Sequence, residues 1–168
     1  MVQCQRFQKE IMNNTEYEYS FEATSLQPFI DYCNKNGYTF IHKHKQERTI
    51  YRNKDRTLMG RITINDKNGT ITKQLDFKED KLIEGQILGE RKESLPLDYT
   101  DDNVVASILN ILEFTKDNTL IRTRYVYQKD GVIFELDEYT EPRITCAVGI
   151  EGEKEQVDKV YNEVKDLK

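Results

Sequence analysis

Alternation of apolar and polar residues with a period of two dominates the chain and predicts a protein built mainly from β-strands. The segment 16–21, EYEYSF, shows the pattern clearly. Glu16 and Glu18 share one face with Ser20, and aromatic residues occupy the other face. Such a strand has one side for a hydrophobic core and one side for polar chemistry.

Two Asx-Gly pairs between alternating runs predict β-hairpins. Closing the first hairpin on the Asn-Gly pair of DKNG places Arg61 opposite Asp76. Closing the second on the Asp-Gly pair of QKDGV places Arg124 opposite Asp137.

Three segments show helical periodicity instead, at about 25–36, 102–114 and 155–167. Ser25 is the predicted N-cap of the first helix, and one of the aspartates at 101–102 is that of the second.

Together these elements predict an α+β fold, mainly antiparallel β, with about eight strands and about three peripheral helices. No linker, repeat or low-complexity segment divides the sequence, so we expect a single domain over residues 1–168. A chain of 168 residues is long enough for one domain with a sizeable core.

Composition limits the possible classes of protein and the cellular environment. The net charge of −5 argues against a general nucleic-acid-coating protein. The three cysteines lie far apart and show no metal-binding spacing, which favours a reduced, cytoplasmic environment. No apolar run approaches the length of a membrane span and the first residues do not resemble a signal peptide, so we expect no membrane partner. Monomer and homodimer both stay open.

The polar faces of the predicted strands carry pairs of carboxylates or arginines at alternate positions. They are Glu16/Glu18, Arg48/Arg52, Arg61, Arg122/Arg124, Glu135/Asp137 and Glu151/Glu153. If the sheet closes into a barrel, these faces converge on one interior, and a dry interior would make their desolvation costly. We therefore expect a wet tunnel that holds a metal ion and an anion. The alternative is that each pair lies on an ordinary solvated surface.

Such a tunnel has a consistent chemistry. Carboxylates bind a hard cation such as Mg²⁺ or Mn²⁺ through oxygen. Arginines bind phosphoryl oxygens bidentately and neutralise the charge that develops in phosphoryl transfer. A glutamate can also orient or deprotonate the attacking water.

The order of the elements resembles that of the CYTH, or triphosphate tunnel metalloenzyme, superfamily. An ExEx strand precedes a helix, basic strands follow, and an RTRY…ELD hairpin comes before GIEGE and a closing helix. The resemblance spans about residues 15–165. It implies a triphosphate-tunnel barrel and divalent-metal-dependent hydrolysis of an RNA 5′-triphosphate, a nucleoside triphosphate or tripolyphosphate. The implied partner is thus a triphosphate-bearing small molecule or an RNA 5′ end.

The resemblance also implies a divalent cation, Mg²⁺ or Mn²⁺, at the two acidic strands. The first-strand signature ExExK corresponds to Glu16, Glu18 and Ser20, so serine replaces lysine, as in the ExExSF form of some viral RNA triphosphatases.

Two alignments of the late acidic strand stay open. Anchored on IEGE, the strand supplies Glu151, and Gly149 stands in place of the first carboxylate. This alignment implies weak or lost activity. Shifted by two residues, the strand supplies both Glu151 and Glu153 as metal ligands.

The catalytic residues that the resemblance implies are Glu16, Glu18, Glu151 and Asp137. The implied triphosphate-binding residues are Arg48, Arg61, Lys73, Lys78, Arg122 and Arg124. The hairpin register favours Lys78, which shares a face with Arg61, over Lys73 on the apolar face, and a β-bulge would reverse that choice. Two other functions stay open: a class IV adenylyl cyclase that makes cyclic AMP from ATP, and a catalytically weakened protein that binds or sequesters a phosphate or a nucleotide.

Overall fold

The computed structural model describes residues 15–80 and 87–167, with the backbone alone for residues 15, 16 and 87–90. Within these ranges nine strands form one antiparallel sheet in the order β5-β1-β9-β8-β7-β2-β3-β4-β6. The strands are β1 (Thr15–Ala23), β2 (Thr39–Arg52), β3 (Leu58–Lys67), β4 (Thr70–Glu79), β5 (Ile87–Lys92), β6 (Leu97–Asp98), β7 (Thr115–Lys129), β8 (Val132–Glu141) and β9 (Thr145–Gly152). The predicted α+β class is confirmed.

Three helices accompany the sheet in the described part of the chain. They are α1 (Gln27–Lys35), α2 (Asp102–Ile111) and α3 (Lys154–Val164), and a 3₁₀ turn, Lys165–Leu167, follows the last. Ser25 precedes α1, and its Oγ accepts a hydrogen bond of 3.2 Å from the backbone N–H of Gln27. Asp101 caps α2 as predicted, because its side chain accepts a 2.9 Å hydrogen bond from the N–H of Asn103. None of these described helices is long and apolar enough to cross a membrane.

The sheet curls strongly but does not close through a continuous ladder, which corrects the expected closed barrel. A single antiparallel bridge between Lys78 and Glu93 joins β4 to the residue that follows β5. Beside it, the N–H of Ser94 donates to the carbonyl of Phe77 at 2.8 Å. The two sides of the curled sheet therefore meet at one point and enclose a tunnel-like space.

Both predicted hairpin registers are confirmed. Arg61 pairs with Asp76 across β3 and β4, and Arg124 pairs with Asp137 across β7 and β8. At both turns the Asx residue and its glycine have positive φ values, between 49° and 86°. Two successive positive φ angles are what a two-residue hairpin turn requires.

The main hydrophobic core lies on the outer face of the sheet, under α1 and α3. Phe134 and Leu136 of β8 and Val148 and Ile150 of β9 are fully buried, together with Phe29 of α1. Each such side chain stabilises the fold by about 1.5–3 kcal/mol. Because side chains alternate along a strand, the residues between these point to the concave side.

A smaller apolar cluster covers the other half of the outer face. Val105 and Leu109 of α2 pack against Leu75 of β4, and all three are buried. The helices thus shield the convex side of the sheet and leave its concave side to charged residues.

Candidate active site: a charged tunnel

The concave side of the sheet encloses a cavity of about 310 Å³. Its cationic lining residues are Arg48, Arg61, Lys78, Arg91, Arg122 and Arg124. Its carboxylates are Glu18, Glu93, Glu135, Asp137 and Glu151. The tunnel therefore brings together residues from both acidic strands and the basic strands between them.

Strand alternation explains how these charges come to face one another. On β8, Glu135 and Asp137 line the cavity, whereas Phe134 and Leu136 between and beside them enter the outer core. The large apolar residues fix which side of each strand is covered, and the charged residues follow on the opposite side.

Asp137 binds two arginines of the tunnel at once. It is 4% exposed and accepts hydrogen bonds from Arg124 Nε at 2.7 Å, Arg124 Nη2 at 2.8 Å and Arg122 Nη1 at 2.7 Å. Burial by itself raises the pKa of Asp137, but the two arginines outweigh it and hold that pKa below its usual value. Asp137 is therefore ionised and orients both guanidinium groups.

Besides its ion pair with Asp137, Arg122 donates hydrogen bonds to two neutral side chains. Its Nε donates to Gln46 Oε1 at 2.7 Å, and its Nη1 donates to the hydroxyl of Tyr139 at 2.5 Å. Arg124 forms a further ion pair with Glu135. Burial alone lowers the pKa of Arg124, but Glu135 and Asp137 raise it above its ordinary value. Both arginines are fixed cations.

Arg48 forms fewer hydrogen bonds and ion pairs than Arg122 and Arg124. Its Nε donates to Thr63 Oγ1 at 3.1 Å, and no carboxylate of the described residues forms an ion pair with it. Burial, followed by the charges of Arg122 and Arg61, lowers the pKa of Arg48 to about 9. The guanidinium is still protonated at neutral pH, so this part of the tunnel carries positive charge that an anion would neutralise.

Glu18 forms the acidic side of the cavity. It is 8% exposed and accepts hydrogen bonds from Arg91 and, at 3.5 Å, from Lys78 Nζ. The Nε of Arg91 is buried and has no hydrogen-bond partner among the described residues. A buried donor of this kind at a cavity wall indicates space for an acceptor that is not part of the protein.

Lys78 is the tunnel lysine, as the hairpin register predicted. Arg61 and Lys78 both line the cavity, and each lies 3.4 Å from Glu93 Oε2. Lys73 lies outside the cavity, where its Nζ binds Asp102 of α2 at 2.7 Å. The β3–β4 register runs without a bulge, so side chains alternate regularly along β4 and the two lysines lie on opposite faces of the strand.

The structure also separates the candidate metal ligands. Glu18 and Glu151 are cross-strand neighbours on β1 and β9, and both line the cavity. Glu153 instead is exposed at the N-terminus of α3, beyond the end of β9, and is not a lining residue. The side chain of Glu16 lies outside the described residues.

Sequence reasoning missed Arg91 and Glu93, which lie on and beside the short strand β5.

Ser20 and Gly149 face each other across β1 and β9, and both line the cavity. A Cβ at position 149 would lie 3.5 Å from Glu135 Cβ and 3.7 Å from Glu18 Oε1, which are ordinary contacts. The space therefore does not demand a glycine. Gly149 and Glu151 share the tunnel face of β9, which favours the alignment anchored on IEGE.

The cavity's donor chemistry suits a hard divalent cation. Among the residues with described side chains, no three His, Cys, Asp or Glu groups form a metal cluster. Mg²⁺ in phosphoryl-transfer sites commonly needs only one or two carboxylates, because phosphate oxygens and water complete its shell. Glu18 and Glu151 would provide those two carboxylates.

No family model and no curated protein matches the sequence. Solved structures do match it over most of its length. The PH1819 protein of Pyrococcus horikoshii is 22% identical with a TM-score of 0.66, and the match covers 90% of this chain and 87% of that one. A conserved hypothetical protein of Pyrococcus furiosus is 23% identical with a TM-score of 0.67, and the match covers 88% of each chain.

Structures with named activities also share the fold. HpAC1 of Hippeastrum, a candidate adenylyl cyclase with a dominant triphosphatase activity, is 16% identical with a TM-score of 0.61, and the match covers 90% of this chain and 87% of that one. A chain of the Schizosaccharomyces pombe Mediator head module has a TM-score of 0.58. These likenesses confirm the curled antiparallel α+β fold of the chain. Because one fold can serve several functions, the function has to be inferred from the site.

Proposed function

We propose that this protein hydrolyses a triphosphate inside the tunnel with Mg²⁺ or Mn²⁺ bound. The observation that carries the proposal is Arg48, a cation without a carboxylate partner among the described residues, placed beside Arg122 and Arg61 in a cavity of about 310 Å³. A polyphosphate would supply the missing negative charge and accept bidentate hydrogen bonds from the guanidinium groups. The orphaned Nε of Arg91 supports the same ligand.

The fixed arginines have the properties that phosphoryl transfer requires. Asp137 and Gln46 hold Arg122, and Asp137 and Glu135 hold Arg124. Their positive charges are therefore already in place when negative charge develops on the phosphoryl oxygens, so no reorganisation opposes the reaction. We assign Asp137 this positioning role.

The acidic side of the tunnel completes the proposal. A bound divalent cation would neutralise phosphate charge, and Glu18 and Glu151 would hold it, together with the predicted ligand Glu16. Lys78 and Arg91, which now pair with Glu18, would then contact phosphate oxygens. Water attacks the terminal phosphorus, a cavity carboxylate accepts its proton, and the bond to the bridging oxygen breaks. The triphosphatase activity named for HpAC1 supports hydrolysis rather than cyclisation.

The test compares carboxylates that the structure separates. Glu18→Gln and Glu151→Gln should each lower metal-dependent phosphate release by about 100-fold or more, because each removes a preorganised charge at the reaction site. Glu153→Gln is the matched control on the same segment and should retain wild-type release. Substrates are tripolyphosphate, ATP, thiamine triphosphate and 5′-triphosphate RNA, each with Mg²⁺ or Mn²⁺.

The products distinguish the alternatives. ADP and phosphate from ATP support the proposal, whereas cyclic AMP and pyrophosphate would identify a cyclase. Thermal stabilisation by these ligands without turnover would identify a binding protein. Wild-type rates in both Glu18→Gln and Glu151→Gln would refute the assigned site.

A further inference from the structure

A row of polar side chains crosses four strands of the sheet beside the tunnel. Asn65 of β3 pairs with Gln46 of β2, and Gln46 pairs with Arg122 of β7. Arg122 in turn pairs with Tyr139 of β8. Cross-strand partners point to the same face of a sheet, so these four side chains lie side by side on the concave face. Arg122 and Tyr139 line the tunnel, whereas Gln46 is buried next to Arg122 and is not a lining residue.

The hydrogen bonds of Gln46 fix the orientation of its amide. Its Oε1 accepts from Arg122 Nε at 2.7 Å and also from Arg122 Nη2. Because a guanidinium group only donates, the amide oxygen must face Arg122 and the amide nitrogen must face away from it. That nitrogen donates to Asn65 Oδ1 at 2.9 Å and lies 3.4 Å from His44 Nε2. Gln46 therefore holds two nitrogens of Arg122 in one geometry.

His44 supports this orientation as an acceptor. Its Nε2 faces the NH₂ group of Gln46, so this ring nitrogen is the acceptor and the ring proton is on Nδ1. Burial, followed by the charges of His42 and Arg124, lowers the pKa of His44 to about 4, so the ring is neutral at pH 7. A protonated ring would present a second donor to the NH₂ group. The neutral ring thus helps to keep the oxygen of Gln46 on Arg122.

The two tunnel arginines of β7 are held by acceptors of different charge. Arg124 binds two carboxylates, those of Glu135 and Asp137. Arg122 has one carboxylate partner among the described residues, and this is the same Asp137. Where Arg124 has its second carboxylate, Arg122 has the neutral amide of Gln46. The charge of Arg122 is therefore less fully neutralised than that of Arg124.

We propose that Gln46 is a positioning residue that fixes Arg122 without neutralising it, so that the positive charge is left for the phosphate groups of the ligand. The inference rests on the proposed function in one respect: a triphosphate is the ligand of Arg122. A carboxylate at position 46 would also hold the guanidinium group, but it would cancel the charge before the ligand binds. A neutral acceptor orients the donor and keeps its field, which is what stabilisation of a phosphoryl group requires. The field of Arg122 is felt across the tunnel, since after burial its charge is the largest cause of the lowered pKa of Arg48.

The test supplies the charge that the amide lacks. Gln46→Glu keeps an acceptor for Arg122, and Asn65 and His44 can each turn a donor toward the second oxygen, by an amide flip and a change of tautomer. We therefore expect wild-type stability in urea at pH 7. The dissociation constant for tripolyphosphate, measured by titration calorimetry without divalent metal, should rise about tenfold or more, because a carboxylate beside Arg122 repels the ligand. Gln128→Glu adds the same charge at an exposed position about 20 Å further along β7 and should leave the constant unchanged.

A second variant separates orientation from charge. Gln46→Met has a similar length and no charge, but it cannot accept a hydrogen bond from Arg122. It should bind tripolyphosphate almost as tightly as wild type, because the charge of Arg122 is retained. Its kcat for phosphate release should fall by about 10- to 100-fold, because Arg122 is no longer fixed. A purely structural glutamine would instead change stability and binding together in both variants.

Two results would overturn the inference: wild-type binding by a folded Gln46→Glu protein, and an equal loss of binding in Gln128→Glu. If Gln46→Glu does not fold, Asn65→Asp decides the question. This change keeps an acceptor for Gln46 and places the charge one side chain further from Arg122, so the dissociation constant should rise by a smaller factor, about threefold. An unchanged constant in folded Asn65→Asp would then refute the positioning role.

The same measurements distinguish this inference from the proposed function. Weaker binding in Gln46→Glu, together with a wild-type protein that binds tripolyphosphate but releases no phosphate, refutes hydrolysis and supports the role of Gln46. Phosphate release by wild type with unchanged binding in Gln46→Glu refutes the role of Gln46 alone. Absence of tripolyphosphate binding by wild type refutes both.

Discussion

Replacing Arg48 with methionine should stabilise the empty protein and weaken its binding of triphosphate. Arg48 is a cation among other cations, with Thr63 as its hydrogen-bond acceptor and no carboxylate partner among the described residues. Arg48 is half-buried, and removing a charge without an ion-pair partner in favour of an apolar side chain of similar length commonly stabilises a protein. Stability and function therefore conflict at this position.

The magnitude follows from the pKa of Arg48, which lies well below the ordinary arginine value, at about 9. Since one pKa unit corresponds to about 1.4 kcal/mol, the upper limit of the cost is roughly 5 kcal/mol. Between pH 9 and the ordinary arginine pKa the folded protein binds fewer protons than the unfolded chain, so the cost is fully present below pH 9 and decreases as the pH rises above it. Loss of the hydrogen bond to Thr63 opposes the gain by about 1 kcal/mol, and water in the tunnel screens part of the remainder. We expect Arg48→Met to be more stable by about 1–3 kcal/mol at pH 7.

Urea unfolding at pH 7, with and without tripolyphosphate, measures both effects. Wild-type protein should gain about 2.7 kcal/mol at a ligand concentration 100 times the dissociation constant, and Arg48→Met should lose most of that gain at the same concentration. Arg52→Met on the same strand is the control, since Arg52 pairs with Asp80 and Asp117, and its loss should destabilise the protein. A less stable Arg48→Met protein that still gains from tripolyphosphate would refute the reasoning.

Two further predictions concern the buried ionisable residues Asp137 and His44. Asp137→Asn should lower the free energy of unfolding by about 3–5 kcal/mol, because Arg122 and Arg124 lose a buried partner. Since these arginines outweigh burial and hold the pKa of Asp137 low, this contribution is present above about pH 4 and is lost as the pH falls through the lowered pKa, so the difference between the urea midpoints of variant and wild type should shrink on acidification. Burial, then His42 and Arg124, lower the pKa of His44 to about 4, so wild-type stability should fall as the pH drops from 6.5 to about 4 while the unfolded chain takes up the proton. His44→Gln should flatten this dependence between pH 7 and 4.5, and an unaltered slope would contradict the assignment.

The sequence predicted those parts of the site that depend on local periodicity. Arg124 opposite Asp137 follows from the position of one Asp-Gly turn, and the choice of Lys78 over Lys73 follows from strand parity. Both inferences need only a side-chain period of two and a turn with positive φ angles. They hold because neither hairpin contains a bulge at the residues concerned.

Contacts between distant segments could not be predicted in this way. Arg91 reaches Glu18 from a six-residue strand, and the two positions are 73 residues apart. Nothing in the alternation of a short strand specifies which partner strand it joins or in which register. The bridge between Lys78 and Glu93, where the two sides of the sheet meet, escaped prediction for the same reason.

Strand β9 ends at Gly152 because the backbone of another segment approaches it closely there. Gly152 has a φ of 145°, and a Cβ there would lie 2.5 Å from the carbonyl oxygen of Gly131. The close approach of these two backbones explains the glycine, and the chain turns into α3 directly afterwards. Glu151 is thus the last tunnel residue of β9, and Glu153 is the N-cap residue of α3.

The two departures from the sequence pattern of the resembled family are neighbours in space. The resemblance implies a lysine where Ser20 stands and a glutamate where Gly149 stands, and these two positions pair across β1 and β9. A serine and a glycine in place of a lysine and a glutamate would leave the net charge of the tunnel unchanged and would add space to it. Either replacement alone would leave an unpaired charge in a confined site. Glu18 and Glu151 face each other beside this space, so both candidate metal ligands keep their places on the tunnel wall.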